Sequence, residues 1–278
     1  MYKIVKKRKL NDTVTWMDIL APYVAKKAQP GQFIIFRIDE NGERVPLTIA
    51  GYDRIKGTVT IIFQKAGFTT NLLDTLEEGD SLLDFVGPLG EASHFDGFRR
   101  VAVIGGGLGI AIAYPQARAL YEMGARVDVI VGFRNTDLIL LEDELKAAAT
   151  DLTIMTDDGS NGHKGFVTQA LEEKLKSGAE YDAVIAIGPL MMMKAVCDLT
   201  RPYGVKTIVS MNPIMIDGTG MCGGCRVTVG GETKFACVDG PDFDGHLVDF
   251  DEAIRRSRMY RAEEAQATHH CRRMGGQK

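Results

Sequence analysis

Three of the five cysteines lie within sixteen residues near the C-terminus, set among glycines: Asp217-Gly-Thr-Gly-Met-Cys222-Gly-Gly-Cys225, and then Cys237. Thiolates this close, on a backbone this free, converge on one metal centre. Cys-x2-Cys puts two sulfurs on a single turn, and the glycines let backbone N–H groups point at them. A metal centre of this kind takes four protein ligands, and the segment offers three thiols.

Two centres fit the donor set. Zinc takes tetrahedral sulfur and nitrogen ligands, but the nearest histidine is His246 and no His pair stands at a suitable spacing. An iron–sulfur cluster takes four ligands, and one plant-type spacing is Cys-x4-Cys-x2-Cys with a distant fourth Cys. With Asp217 in the first position, the chain reads Asp217-x4-Cys222-x2-Cys225-x11-Cys237, a [2Fe–2S] spacing with one thiolate replaced by a carboxylate. Asp217 has a plainer reading as a turn residue bonding its own loop. In that case Cys271, Asp239 or an outside group would be the fourth ligand, or the loop would hold no metal.

The other readings bound the class. The chain has 278 residues, 45% hydrophobic and 25% charged, with net charge −4. That is an ordinary globular composition with room for two domains and a small third. With no basic run, nucleic acid is not expected as a partner. The longest apolar stretch, Val101 to Tyr114, is too short and Gly-rich to span a bilayer, and the N-terminus lacks the apolar core of a signal peptide. An odd cysteine count argues against a disulfide framework, and thiolate ligands suit a reducing cytoplasm.

Residues 1–96 read as a small antiparallel barrel. Short runs Thr13 to Ile19, Phe33 to Ile38, Thr58 to Phe63 and Ser81 to Phe85 are separated by Gly-containing turns. From residue 97 to 212 strands alternate with helices, the pattern of a doubly wound parallel α/β domain. Its strands are expected at Arg100 to Ile104, Arg126 to Gly132, Leu152 to Met155, Ala183 to Ile187 and Thr207 to Met211. Residues 213–278 hold the cysteine segment, a hairpin predicted at Arg226 to Val229 and Lys234 to Val238, and a charged helix at Ala253 to Gln266. His269, His270 and Cys271 close the tail as a solvated end.

Gly105-Gly-Gly107-Leu108-Gly109 stands where a strand meets a helix. Glycine there permits a tight turn and close approach of a pyrophosphate to a helix N-terminus. The loop Asp158 to Gly165 and the turn Gly188-Pro189 also follow strands, at the carboxyl ends where open α/β sheets bind ligands. Arg134 stands where a 2′-phosphate contact could form. Met191-Met-Met193 reads as core filler and Cys197 as a buried apolar thiol. In the barrel, Arg44-Val-Pro46-Leu47-Thr48 offers a planar cation suited to a pyrophosphate and a hydroxyl suited to a flavin ring. Gly67-Phe-Thr69-Thr70 offers a backbone phosphate cradle, and Gly87-Pro-Leu-Gly90 a rigid closing turn. No acid–base or nucleophilic set is evident.

Taken in order, these motifs resemble the ferredoxin–NADP reductase superfamily, in its dihydroorotate dehydrogenase electron-transfer-subunit branch, over nearly the whole chain. The barrel's Arg-x-x-Ser/Thr flavin motif is similar to Arg44 to Thr48, with one more residue in the spacing. The resemblance implies FAD held by Arg44, Pro46, Leu47, Thr48, Gly67, Thr69 and Thr70. It implies NAD(H) at Gly105, Gly107, Leu108, Gly109, Asp158, Gly188 and Pro189, and a [2Fe–2S] cluster on Asp217, Cys222, Cys225 and Cys237. The branch carries four cysteines at the cluster. Aspartate in the first position is similar to the small-subunit family of the electron-bifurcating NADH-dependent reduced ferredoxin:NADP oxidoreductase, with the sulfide dehydrogenase beta subunits. That implies a larger catalytic subunit with a second flavin and [4Fe–4S] clusters, through which ferredoxin and NADP(H) react. Two alternatives remain: an electron-transfer subunit of dihydroorotate dehydrogenase or of a hydrogenase, and a zinc-stabilised nucleotide-binding scaffold subunit.

Overall fold

The computed structural model describes residues 1–260 and Glu263. The tail, with His269, His270 and Cys271, lies outside the described residues. The N-terminal unit is a seven-stranded antiparallel sheet in the order β6-β1-β2-β5-β4-β3-β7. Its elements are β1 (Tyr2–Lys9), β2 (Val14–Leu20), helix α1 (Pro22–Lys27), β3 (Phe33–Arg37), β4 (Val45–Asp53), β5 (Thr58–Gln64), helix α2 (Phe68–Thr75), β6 (Ser81–Leu82) and β7 (Asp84–Leu89). Sequence reasoning expects one strand from Ser81 to Phe85, whereas the structure has two. β6 pairs with β1 and β7 with β3, at opposite edges of the sheet, and Leu83 alone joins them. That crossing brings the two edges of the sheet together and leaves the barrel nearly closed. Gly87-Pro88-Leu89, read as a turn, is the end of β7.

The sequence reading does not include β1, whose Lys and Arg residues hide its alternation, nor the helix α2, which stands where a phosphate cradle is expected. Alternation is clearest in β3. Ile34 and Phe36 point into the barrel core, while Phe33 and Ile35 face outward and join a second core with the C-terminal segment. Each such fully buried side chain contributes about 1.5–3 kcal/mol.

The second unit is a six-stranded sheet whose sixth strand comes from the C-terminal segment; its first five strands and their helices are β8 (Arg100–Gly106), helix α3 (Ile110–Glu122), β9 (Arg126–Phe133), helix α4 (Glu142–Ala147), β10 (Asp151–Thr156), helix α5 (Val167–Lys176), β11 (Ala183–Ile187), helix α6 (Leu190–Thr200) and β12 (Thr207–Ser210). Strand order is β10-β9-β8-β11-β12, all parallel. The fully apolar runs of β8 and β11 are buried on both faces, as parallel strands require. The order reverses direction between β8 and β11.

The C-terminal segment contains β13 (Arg226–Val229), β14 (Glu232–Phe235), β15 (Asp242–Asp244) and helix α7 (Phe250–Arg256). Val229 faces Glu232, so Gly230-Gly231 is a two-residue turn; both have positive φ, 60° and 83°, as a type I′ hairpin demands. That turn fixes β14 two residues earlier than expected and frees Cys237 to fold under the loop. The expected helix starts earlier too, because the Asp249 carboxylate accepts from Glu252 N at 2.8 Å and caps α7. A further difference concerns the boundary at 213: β15 returns and pairs antiparallel with β12. The cysteine segment is therefore clamped to the nucleotide sheet at one end and to the barrel at the other.

Candidate cofactor centre

The four donor residues arrive as two pairs. Cys225 and Cys237, both buried, stand sulfur to sulfur at 3.2 Å. Exposed Cys222 stands 3.4 Å from Asp217 Oδ1. The Asp217 carboxylate also accepts from Thr219 N at 3.1 Å, Met221 N at 3.0 Å and Cys222 N at 3.0 Å. These N–H groups, Thr219 first, hold it below the usual carboxylate range, so the oxygen facing Cys222 is anionic. Gly224 N–H points at the Cys222 sulfur at 3.5 Å. Burial, reinforced by Cys225, pushes the Cys237 thiol up to about 12, which a metal would reverse by binding the thiolate. Among the described residues, no group of three or more His, Cys, Asp or Glu side chains is gathered tightly enough for one metal ion. Two pairs suit two irons with two protein ligands each.

The loop lies on the barrel. A Cβ on Gly218 (φ 76°) would sit 2.6 Å from Ile35 Cδ1 and 2.8 Å from Leu89 Cδ1. Ile35 pairs with Pro46, and Phe33 with Thr48, on β4. One strand therefore separates the cluster loop from the strand expected to hold the flavin. Arg44, exposed, donates from Nε to Ile216 O at 3.0 Å. Of the other flavin candidates, Leu47 turns toward the barrel core and Thr48 is half-buried. Thr70 Oγ1 accepts from Ala66 N and Gly67 N at the start of α2, and the Thr69 hydroxyl donates to Glu43. These two hydroxyls are spent locally. A Cβ on Gly67 would meet nothing within 4 Å, so the backbone at the start of α2 is open.

At the nucleotide sheet, the glycines separate into two kinds. Cβ atoms on Gly105, Gly106, Gly109 and Gly188 would strike neighbours, Gly109 meeting Ile187 O at 2.4 Å and Gly106 meeting Met192 Sδ at 2.5 Å. Gly105 lets α3 pack close to β8, and the others let the turn after β8 approach the end of β11 and the start of α6. Gly107, with φ 53° and nothing within 4 Å, faces open space at the switch point, where α/β sheets bind ligands. Leu108 beside it is half-buried and Pro189 is exposed at the start of α6. Asp158 is exposed and uses its carboxylate on Ser160 N at 2.9 Å, so it builds its own loop. Arg134 is exposed at the end of β9. Only Met193 of the three methionines is core; Met191 is 61% exposed and Met192 covers Gly106 and Gly188, because α6 turns one face to the ligand edge. Cys197 is buried, as expected, and burial pushes its thiol up to about 12.

Residues 103–198 match the oxidoreductase NAD-binding domain, and residues 212–249 match the iron–sulfur cluster binding domain of dihydroorotate dehydrogenase B. The dihydroorotate dehydrogenase B (NAD(+)) electron transfer subunit homolog of Thermotoga maritima is 46% identical over 262 residues, 94% of this chain and 92% of the relative. The chain belongs to the dihydroorotate dehydrogenase B electron-transfer-subunit family. A protein of Clostridium beijerinckii with no assigned activity is 54% identical over 275 residues, 96% of this chain and 93% of its own. Among solved structures, a chain of the NADH-dependent reduced ferredoxin-NADP oxidoreductase, described for flavin-based electron bifurcation, is 44% identical with a TM-score of 0.92, covering 97% of both chains. As a member of this electron-transfer-subunit family, the chain is an oxidoreductase subunit that acts with a catalytic partner, and it carries NAD-binding and iron–sulfur domains. No helix among the described residues is long and apolar enough to cross a membrane.

Proposed function

We propose that this subunit passes electrons between NAD(H), FAD in the barrel and a [2Fe–2S] cluster, to or from a larger subunit of an electron-bifurcating NADH-dependent ferredoxin:NADP oxidoreductase. One observation carries the reading: the two donor pairs, Asp217 with Cys222 and Cys225 with Cys237, rest on the barrel strand next to β4. When bound, a flavin accepts a hydride, two electrons at once, and releases single electrons, and a [2Fe–2S] cluster carries one at a time. The chain's own residues bind and orient. Gly107 leaves room for the nicotinamide cofactor, Gly67 and the outer face of β4 for FAD, and Asp217 with the three cysteines for iron. Domain limits follow at 1–96, 97–212 and 213–278, with β15 lent back to the second. Cys222 is exposed beside Met221 (88% exposed) and Ile216 (54%), a one-electron exit that faces outward to a partner.

The partner in this reading holds a second flavin and [4Fe–4S] clusters and reacts with ferredoxin and NADP(H); a reducing cytoplasm suits the free thiols. The carboxylate among the donors favours this complex over the dihydroorotate dehydrogenase assembly for which most relatives are named. The test is iron, acid-labile sulfide, zinc and flavin per chain after anaerobic purification. Two irons, two sulfides and one FAD are expected. Zinc without sulfide sinks the electron-transfer reading. Co-purification with a dihydroorotate-oxidising subunit would move the chain to the second complex.

A further inference from the structure

Arg44 occupies the position of the flavin-motif arginine, and its guanidinium reaches the cysteine segment. Nε donates to the carbonyl of Ile216 at 3.0 Å, across 172 residues of sequence. The geometry has a simple origin. Side chains alternate along a strand, so a one-residue change of spacing moves a side chain to the opposite face. Arg44 stands just before β4, two residues ahead of Pro46 and four ahead of Thr48, and so falls on the same side as both. That is the outward side, since Pro46 and Thr48 stand opposite Ile35 and Phe33, which pack with the cysteine segment.

The carbonyl it holds belongs to the peptide joining Ile216 to Asp217. Fixing that peptide plane fixes the Cα from which the Asp217 carboxylate hangs. The other side of Asp217 is fixed too, because Gly218 is seated against Ile35 and Leu89. We infer that Arg44 is a positioning residue for the iron–sulfur centre: it ties the flavin strand to the peptide of the carboxylate ligand and sets a positive charge beside the cluster loop. This assignment rests on the cluster reading above. It makes the first ligand position a product of the barrel, and links occupation of the flavin strand to the ordering of the cluster loop.

The experiment compares Arg44→Gln, Arg44→Lys and, as a control on the same strand, Thr48→Val in the full chain purified anaerobically. Four quantities are read: FAD per chain, iron and sulfide per chain, the electron paramagnetic resonance spectrum of the dithionite-reduced centre, and the rate of cluster loss to a chelator. The wild-type iron and sulfide content tests the cluster reading itself, apart from Arg44. Given that content, Arg44→Gln is expected to keep FAD near the wild-type amount, shift the g-values and lose its cluster several-fold faster. Arg44→Lys, which keeps the charge but not the planar fork, should fall between. Thr48→Val should leave the spectrum unchanged. Loss of FAD from Arg44→Gln with the spectrum and lifetime unchanged overturns the assignment and makes Arg44 a phosphate ligand. If Arg44→Gln does not fold, Arg44→Lys decides alone: an unshifted spectrum overturns the tether.

Discussion

The carbonyl oxygen of Ile187 lies where a side chain on Gly109 would have to go: a Cβ there would be 2.4 Å from that oxygen and 2.7 Å from Gly188 Cα. The ends of β8 and β11 are thus in backbone contact, and the crevice beside them is lined by Gly107. Gly109→Ala should cost about 1–3 kcal/mol by overpacking, a fall in Tm of about 2–4 °C per kcal/mol. Gly107→Ala has room, and meets only the left-handed strain of φ 53°, roughly 1–2 kcal/mol. Its larger effect should be on binding, with NADH held about tenfold more weakly, or about 1.4 kcal/mol. Thermal melts and NADH titrations of both variants check this. Equal binding losses would show that Gly107 does not face the cofactor.

The carboxylate at position 217 makes a second prediction. Asp217→Ala removes the acceptor of three loop N–H groups and one donor to iron, and should lower iron and sulfide per chain well below two. Asp217→Cys restores a four-thiolate set and should keep the cluster while changing its paramagnetic spectrum, since ligand type tunes the centre. An Asp217→Ala protein with full iron and an unchanged spectrum would leave Asp217 as a turn residue only.

The strands of the nucleotide unit were legible because buried parallel strands are apolar runs, and α3, α5 and α6 because each starts within two residues of a glycine. Val167–Lys176 and Ala183–Ile187 fall where the pattern places them. Strand β1 was not legible, since Lys and Arg crowd the face it turns to solvent, and neither was β15, three residues whose strand state exists only through β12. At the centre, spacing alone brought out Asp217, Cys222, Cys225 and Cys237. It could not bring out the two-pair arrangement, the seat of Gly218 on Ile35, or the reach of Arg44 to Ile216. Contacts between residues so far apart in sequence leave no local signal. Thr and Asp beside glycine serve turns and phosphates alike; Thr70 and Asp158 bond their own turns here, while Thr69 bonds Glu43.

A third prediction separates stability from function. Asp128 is 1% exposed; it accepts from the Tyr181 hydroxyl at 2.8 Å and faces Arg100 and Arg126 at 3.6 Å each. These residues sit at the amino ends of β8 and β9, the edge opposite the glycine turns. Tyr181→Phe leaves a buried carboxylate short of a donor and should cost about 1–3 kcal/mol. NADH oxidation rates should be unchanged below the new Tm. A fall in rate with no fall in Tm would contradict this placement.

The last prediction concerns pH. Asp242 on β15 is half-buried where barrel, nucleotide sheet and cysteine segment meet, with its carboxylate turned inward, and accepts from Ser93 Oγ at 2.5 Å and Gln116 Nε2 at 3.1 Å. Asp242 Oδ1 and Gln116 Oε1 have no partner. Burial lifts the carboxyl above its ordinary range, against the pull of the Ser93 hydroxyl. The sign follows from linkage. Protonated Asp242 suits the folded chain, so its contribution is fully present below the unfolded value of 3.8 and is lost as pH rises through the folded value. Asp242→Asn stays neutral throughout. Its carbonyl can accept from Ser93 and Gln116, and its amide can donate to the free Gln116 oxygen. The variant's Tm relative to wild type should therefore rise from pH 4 toward neutrality and level off above the folded value. Melts from pH 4 to 8 measure the gap. A gap that stays constant with pH would mean that Asp242 is ionised in the folded chain with no penalty, and that its unpaired oxygen is satisfied by water.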